Sequence, residues 1–279
     1  MRKLTFILAI WLLVAGCKKC DDVVCCDKIL YTSTTGELVP IYNVGAFGVK
    51  VIDHSYQDGQ GVIKFDGEVT MFADYAFYNR EHLRSVTTPQ HLTKIGKRAF
   101  YECANLEGVD VPNDVTIIDD YAFSRCENLG EITVGGSVES IGIGAFIRCS
   151  KLKSIVLPNT LTTIGDSAFS DCEALTTIEL GNALTSLGSQ AFFNCSNLES
   201  VTLPSTITTI GNMAFAFCPN ITTLYCKSPL PPTVDMLYML FYESANLSKI
   251  YVPRDCSVFY LEDSEWSRYA ELIEEYDFE

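Results

Sequence analysis

Apolar residues return at fixed places along most of this chain. An Ala-Phe pair recurs with its phenylalanine at Phe77, Phe100, Phe123, Phe146, Phe169, Phe192 and Phe215, and every interval is 23 residues. Around these anchors the pattern reads L-x-x-I-x-L-P-x-x-L-x-x-I-G-x-x-A-F-x-x-C-x-x. Residues 152–174, LKSIVLPNTLTTIGDSAFSDCEA, match it at every fixed position. Seven intervals cover residues 60–220. An eighth, 221–246, is 26 residues long and carries an insertion around Leu230-Pro231-Pro232. It regains the pattern at Phe241, and a last strand is expected at Leu247–Pro253.

A fixed period of this length predicts stacked coils. One interval holds too few apolar residues to bury itself, but stacking sets each residue above its counterpart in the neighbouring coil. In residues 152–174 the inward set is expected to be Leu152, Ile155, Leu157, Leu161, Ile164, Ala168, Phe169 and Cys172. Ile155 and Leu157 are two apart, the spacing of one strand face. Leu161-Thr162-Thr163-Ile164 is a second short extended run ended by Gly165, and a short helical turn is expected at Ala168-Phe169. At about 4.8 Å per coil the rod is roughly 40 Å long.

The motif IG-x-x-AF-x-x-C closely resembles the BspA-like branch of the leucine-rich repeats, over residues 60 to about 253. The resemblance implies a mainly β, right-handed solenoid of about eight coils with short helical turns. It extends to Ile29–Gly36, similar to the segment that opens lipoproteins of this family. It also extends to Ile250–Pro253 and Trp266–Ala270, similar to their closing cap. The expected division is a signal segment at 1–16, a lipidated tether at 17–27, an N-terminal cap at 28–59, the solenoid at 60–253 and a C-terminal cap at 254–279. Within that last cap, 261-LEDSEWSRYAELIEEYDFE-279 is expected to form an acidic amphipathic helix with Trp266, Tyr269, Leu272 and Ile273 turned inward.

Before the repeats stands MRKLTFILAIWLLVAGC. Arg2 and Lys3 precede an apolar run from Leu4 to Val14, too short for the roughly 20 residues of a membrane-spanning helix but suited to a secretory signal. Val14-Ala15-Gly16-Cys17 resembles the bacterial lipobox, which makes Cys17 the expected lipidation site. Stable anchoring needs more than one acyl chain; lipoproteins of this kind normally carry three. Asp21-Asp22 just beyond is similar to the acidic signals that send some Gram-negative lipoproteins to the outer face of the outer membrane; a plain solvated tether is the alternative. With no histidine before His54, Cys20, Cys25 and Cys26 are not expected to close a zinc site.

Charge narrows the partners. The net charge is −15, and a surface so acidic repels phosphate backbones, so nucleic acid is not an expected partner. Of twelve cysteines, Cys103, Cys126, Cys149, Cys172, Cys195 and Cys218 each follow the repeat phenylalanine by three positions. A metal-thiolate column or a redox relay is one reading. A stack of buried, mostly free thiols acting as small apolar side chains is the stronger one, because the same slot accepts Arg80 and Ser244. Cys226 and Cys256 lie off this column, and a bridge between them remains open. Three histidines, His54, His82 and His91, form no metalloprotease, nucleophile-elbow or phosphate-loop motif. No enzyme activity, metal, cofactor or small-molecule substrate is expected.

What remains is binding through the exposed ladder faces. The outward column of the first strand runs Thr87, Asp110, Thr133, Val156, Glu179, Thr202, Tyr225 and Tyr251. Small hydroxyl residues suit any strand surface, whereas Tyr225 and Tyr251, beside Lys227, are candidate partner-binding residues; packing against the C-terminal cap is the competing reading. The protein is expected to be a monomer held at the membrane through lipid on Cys17, and the resemblance implies a surface adhesin for host matrix proteins such as fibronectin and fibrinogen, or for other bacteria. A periplasm-facing scaffold that binds an envelope partner is the alternative.

Overall fold

The computed structural model describes residues 27–234 and 239–278. The expected signal segment, Cys17 and the other tether cysteines lie outside the described residues. Each coil has three sides. In residues 152–174 these are the strand Ser154–Val156, the two-residue strand Thr163–Ile164 and the bend around Ala168-Phe169. All the residues expected to face inward in this coil are at most 3% exposed.

On the second side, strands from Met71–Phe72 to Thr209–Ile210 form one parallel, seven-stranded sheet. Its register places Ile141 against Ile164 and Ile164 against Leu187. Glycine follows most of these strands because the backbones come too close for a side chain. A Cβ on Gly165 would lie 2.7 Å from the carbonyl carbon of Gly142, and one on Gly211 would lie 2.1 Å from the Ser189 nitrogen. The first side carries Leu83–Val86, Gly108–Asp110, Glu131–Thr133, Ser154–Val156, Thr177–Glu179, Ser200–Leu203, Thr223–Cys226 and Lys249–Pro253.

The helical turn expected at the bend takes the form of linked β-turns. Ala168, Ser170 and Cys172 donate to Gly165, Ser167 and Phe169 within the coil, while Ser167, Phe169 and Asp171 donate to Ser189, Ala191 and Phe193 of the next coil. Ser167 and Asp171 reach this alternation with φ of 54° and 59°. Every second amide thus bonds between coils, which stacks the bends as firmly as the strands. Inside, the phenylalanines from Phe77 to Phe241 form one column, with neighbouring centroids 5.1–5.6 Å apart and planes within 14°.

Both ends are closed. At the N-terminal end, Val51–Gln57 and Gln60–Phe65 form a hairpin across Asp58-Gly59, both at positive φ (51° and 82°), as a two-residue turn of the primed type requires. Lys28–Ser33 lies between Gln60–Phe65 and Leu83–Val86, antiparallel to both. Phe47 caps the phenylalanine column, 5.8 Å from Phe77.

At the C-terminal end the single amphipathic helix expected over residues 261–279 does not form. An α-helix, Ser257–Glu262, precedes a 3₁₀ segment, Trp266–Leu272, and the chain then becomes the strand Ile273–Tyr276, parallel to Lys249–Pro253. Asp263 breaks the helix: its carboxylate accepts from the amides of Glu265 and Trp266, both at 2.9 Å. The open edge of Lys249–Pro253 then competes successfully for the tail. The inward set survives this change, with Trp266 buried and Tyr269, Leu272 and Ile273 packed on the core. The Pro-rich insertion is tied to the same cap, because the Tyr260 hydroxyl donates to the Ser228 carbonyl (2.8 Å) and Trp266 Nε1 to that of Pro232 (2.8 Å).

Candidate binding surface

Parallel register brings Tyr225 and Tyr251 together. The strands Thr223–Cys226 and Lys249–Pro253 pair with these two residues opposite each other, and their rings stack at 5.2 Å and 22°. The terminal strand adds what the sequence reading missed. Tyr276 lies 5.1 Å from Tyr251 and 5.8 Å from Tyr225, and Phe278 lies 5.0 Å from Tyr276. Lys227 Nζ sits 5.7 Å from the centroid of Phe278, a cation over an aromatic face. All three candidate residues, Tyr225, Lys227 and Tyr251, therefore fall in one cluster. The signal for Tyr276 and Phe278 was their spacing of two, one face of a strand, which the helical reading of the tail concealed.

Cap packing and exposure coexist here. The cap covers part of Tyr225 and Tyr251, yet Tyr276 stays 45% exposed. Two adjoining shallow hollows, of about 420 and 520 Å³, share Lys227, Tyr276, Asp277 and Phe278. Arg254 holds the rim through a bidentate pair with the Asp277 carboxylate, with Nε 2.7 Å from Oδ1, and Lys249 pairs with Glu274. The surface thus offers aromatic faces, the Lys227 ammonium, which has no carboxylate partner among the described residues, and a neutralised rim. It suits the apolar body and polar edge of a protein partner.

The thiol column has a different role. Each of the six thiols donates to the carbonyl of the preceding coil's phenylalanine, as Cys172 Sγ does to Phe146 at 3.2 Å. Ser244 makes the same bond to Phe215 at 2.8 Å. Burial pushes the Cys103 thiol up to about 12, and raises the thiols of Cys126, Cys149, Cys172 and Cys195 well above their ordinary value, so thiolate chemistry is suppressed. Cys226 and Cys256 are free, and Cys226 Sγ instead meets the Tyr260 hydroxyl at 3.3 Å. Among the described residues no three His, Cys, Asp or Glu side chains group as a metal site. His54 bonds Tyr31, His82 lies beside Glu81, and His91 lies beside Asp114; they share no cluster.

These features define a leucine-rich-repeat solenoid, an architecture compatible with a protein–protein interaction scaffold and typically non-enzymatic. The family of the BspA type leucine rich repeat region (6 copies) matches residues 60–156 and 139–264, more than half of the chain, and the protein belongs to that family. Similar solved structures include a T. pallidum leucine-rich-repeat protein, with 26% identity over 66% of this chain and 81% of that one and a TM-score of 0.52. A leucine-rich-repeat protein from Bacteroides ovatus has 22% identity, covers 84% of this chain and 71% of its own, and has a TM-score of 0.53. No curated protein matches the sequence.

Proposed function

We propose that this protein is a non-enzymatic, lipid-anchored cell-surface protein that binds another protein through the C-terminal end of its first-strand face. One observation carries the binding site: Tyr225, Tyr251, Tyr276 and Phe278 converge beside Lys227, with Tyr276 nearly half exposed to solvent. Tyrosine buries a large rigid area at low entropic cost, and clusters of such residues dominate interface energetics. The lipobox-like Val14–Cys17 and the acidic Asp21-Asp22 support an anchored protein facing outward. The partner class is a host matrix protein or a surface protein of another cell.

Protease treatment of intact cells, with lysed cells as control, tests orientation. Digestion of the solenoid on intact cells is expected, whereas protection until lysis would sink the surface reading and favour an envelope partner. Tyr251→Ala and Tyr276→Ala are expected to weaken binding to immobilised fibronectin or fibrinogen by at least tenfold. Binding that is absent in the unaltered protein, or unchanged in both variants, would refute the site.

A further inference from the structure

Seven arginines lie among the described residues, and Arg84, Arg125, Arg148, Arg254 and Arg268 form ion pairs with carboxylates. Arg80 and Arg98 do not. Both rest on tyrosines instead, on the bend side of the first coils. The Arg98 guanidinium lies 5.9, 5.6 and 5.3 Å from the ring centroids of Tyr75, Tyr101 and Tyr121. Its Nη1 donates to the Tyr75 hydroxyl at 3.3 Å, and its Nε is buried without a hydrogen bond. Arg80 lies 5.7 Å from the ring of Tyr42, a residue 57% exposed. Tyr42 and Tyr78 are 5.2 Å apart, and Tyr78 stacks on Tyr101 at 5.3 Å, so the two arginines belong to one continuous aromatic surface.

The solenoid does not require arginine at either place. Arg80 occupies the column that holds cysteine in the next six coils and Ser244 in the eighth. Arg98 occupies a left-handed position (φ 54°) that Gly144, Ser167 and Gln190 fill in later coils. Two arginines at such positions, one with an orphaned donor, are poor choices for stability alone. Neighbouring carboxylates are engaged elsewhere, Asp120 by Lys97 and Glu102 by Arg125. Against the general repulsion of a chain of net charge −15, these two cations, kept clear of carboxylates and mounted on tyrosines, form a local patch complementary to a short acidic segment.

We infer that this bend-side surface is a second docking site, separate from the aromatic strand face, and that its occupant is an acidic segment of a partner protein. Carboxylates pair with Arg80 and Arg98, and the segment's apolar side chains lie against Tyr42, Tyr78 and Tyr101. Tyrosine and arginine are the residue types enriched at the energetic centres of protein interfaces, and guanidinium binds carboxylate through charge-assisted hydrogen bonds.

The test uses the full-length chain in mild detergent and a fluorescent peptide amide, (Glu-Phe-Glu)3, read by anisotropy. The acidic peptide is expected to bind, more weakly as salt rises, while the matching (Lys-Phe-Lys)3 peptide does not. Arg80→Ser with Arg98→Gln copies residues that later coils hold in the same columns, so folding is expected to survive, as circular dichroism would verify. That double variant should weaken binding at least tenfold and Arg98→Gln alone at least threefold, while Tyr251→Ala leaves it within twofold. No binding of the acidic peptide, equal binding of the lysine peptide, or binding unmoved by Arg98→Gln would each overturn the assignment. So would tighter capture of polygalacturonate through the same arginines, since that would mark an acidic glycan site. The Tyr251→Ala arm separates failure here from failure of the strand-face site.

Discussion

Three positions after each repeat phenylalanine from Phe100 onward, the side chain is small enough to stack and able to donate to a carbonyl one coil back; Arg80, after Phe77, departs from this in the first coil. Cys172 donates at 3.2 Å and Ser244 at 2.8 Å. Cysteine adds apolar burial to a weak donor, so the column needs no redox or metal chemistry to explain it. Cys172→Ser is therefore expected to lower stability by about 1 kcal/mol or less, while Cys172→Val, which adds volume and loses the donor, costs about 1–3 kcal/mol by overpacking; urea unfolding curves compare the two. Iodoacetamide at pH 8, applied to a chain lacking the first 26 residues, should modify Cys256 alone before unfolding, since the other seven thiols are buried. Rapid native labelling of any ladder thiol, read by mass spectrometry, would refute the inert column. A second residue-scale effect sits in the N-terminal cap, where the Tyr31 hydroxyl meets His54 Nε2 at 2.8 Å and accepts from the Val39 amide at 3.2 Å. Burial pushes His54 below its ordinary 6.5, against a smaller upward pull from Asp53. The unfolded chain therefore takes up this proton at higher pH than the folded one. The stability is full above about pH 6.5 and is lost as pH falls from there through the folded value. His54→Asn should flatten that segment of the stability–pH curve; an unchanged slope would remove His54 as its source.

Elements differed in how openly the sequence declared them. The coils were legible because one pattern repeats in register, and each inward position of residues 152–174 is buried as expected. The hairpin Val51–Gln57 with Gln60–Phe65 had its signal too, Asp58-Gly59 between extended runs, but it lay at the seam where the 23-residue period begins. The tail was misread for a physical reason. Trp266, Tyr269, Leu272 and Ile273 have helical spacing, yet the side chain of Asp263 caps a fresh start and the unpaired edge of Lys249–Pro253 offers hydrogen bonds that a helix cannot reach. Only tertiary structure supplies that edge, so the sequence does not announce that Tyr276 and Phe278 lie beside Tyr225, Lys227 and Tyr251. Removing residues 273–279 tests this account. The truncated chain is expected to fold but to expose the Lys249–Pro253 edge and associate, as light scattering behind size exclusion would show. Persistence as a monomer with unaltered stability would mean that the last strand contributes little.

At the scale of the whole molecule, each coil touches only its neighbours, so length is adjustable without redesign of the core. Phe146, Phe169 and Phe192 stand in nearly parallel planes, 7° apart at each step, with centroids 5.1 and 5.3 Å apart. A second copy of residues 152–174 inserted after residue 174 would thus meet, on one side, the coil it already fits and, on the other, a coil of the same pattern with its inward residues in register. The extended chain is expected to fold, to unfold with a steeper urea dependence because more surface is exposed, and to gain stability. It also moves the Tyr/Arg surface of the first coils away from the aromatic strand face at the far end by about 5 Å. If the two surfaces act on separate partners, the affinity of each for its own peptide or matrix protein stays the same in the lengthened protein. If they grip one extended partner, simultaneous engagement depends on the span, and avidity falls with the added coil while each isolated contact remains intact. Binding by the original and lengthened proteins, measured side by side, separates these outcomes. Aggregation of the lengthened chain would instead show that the ends are matched to this number of coils, through a twist accumulated along the stack.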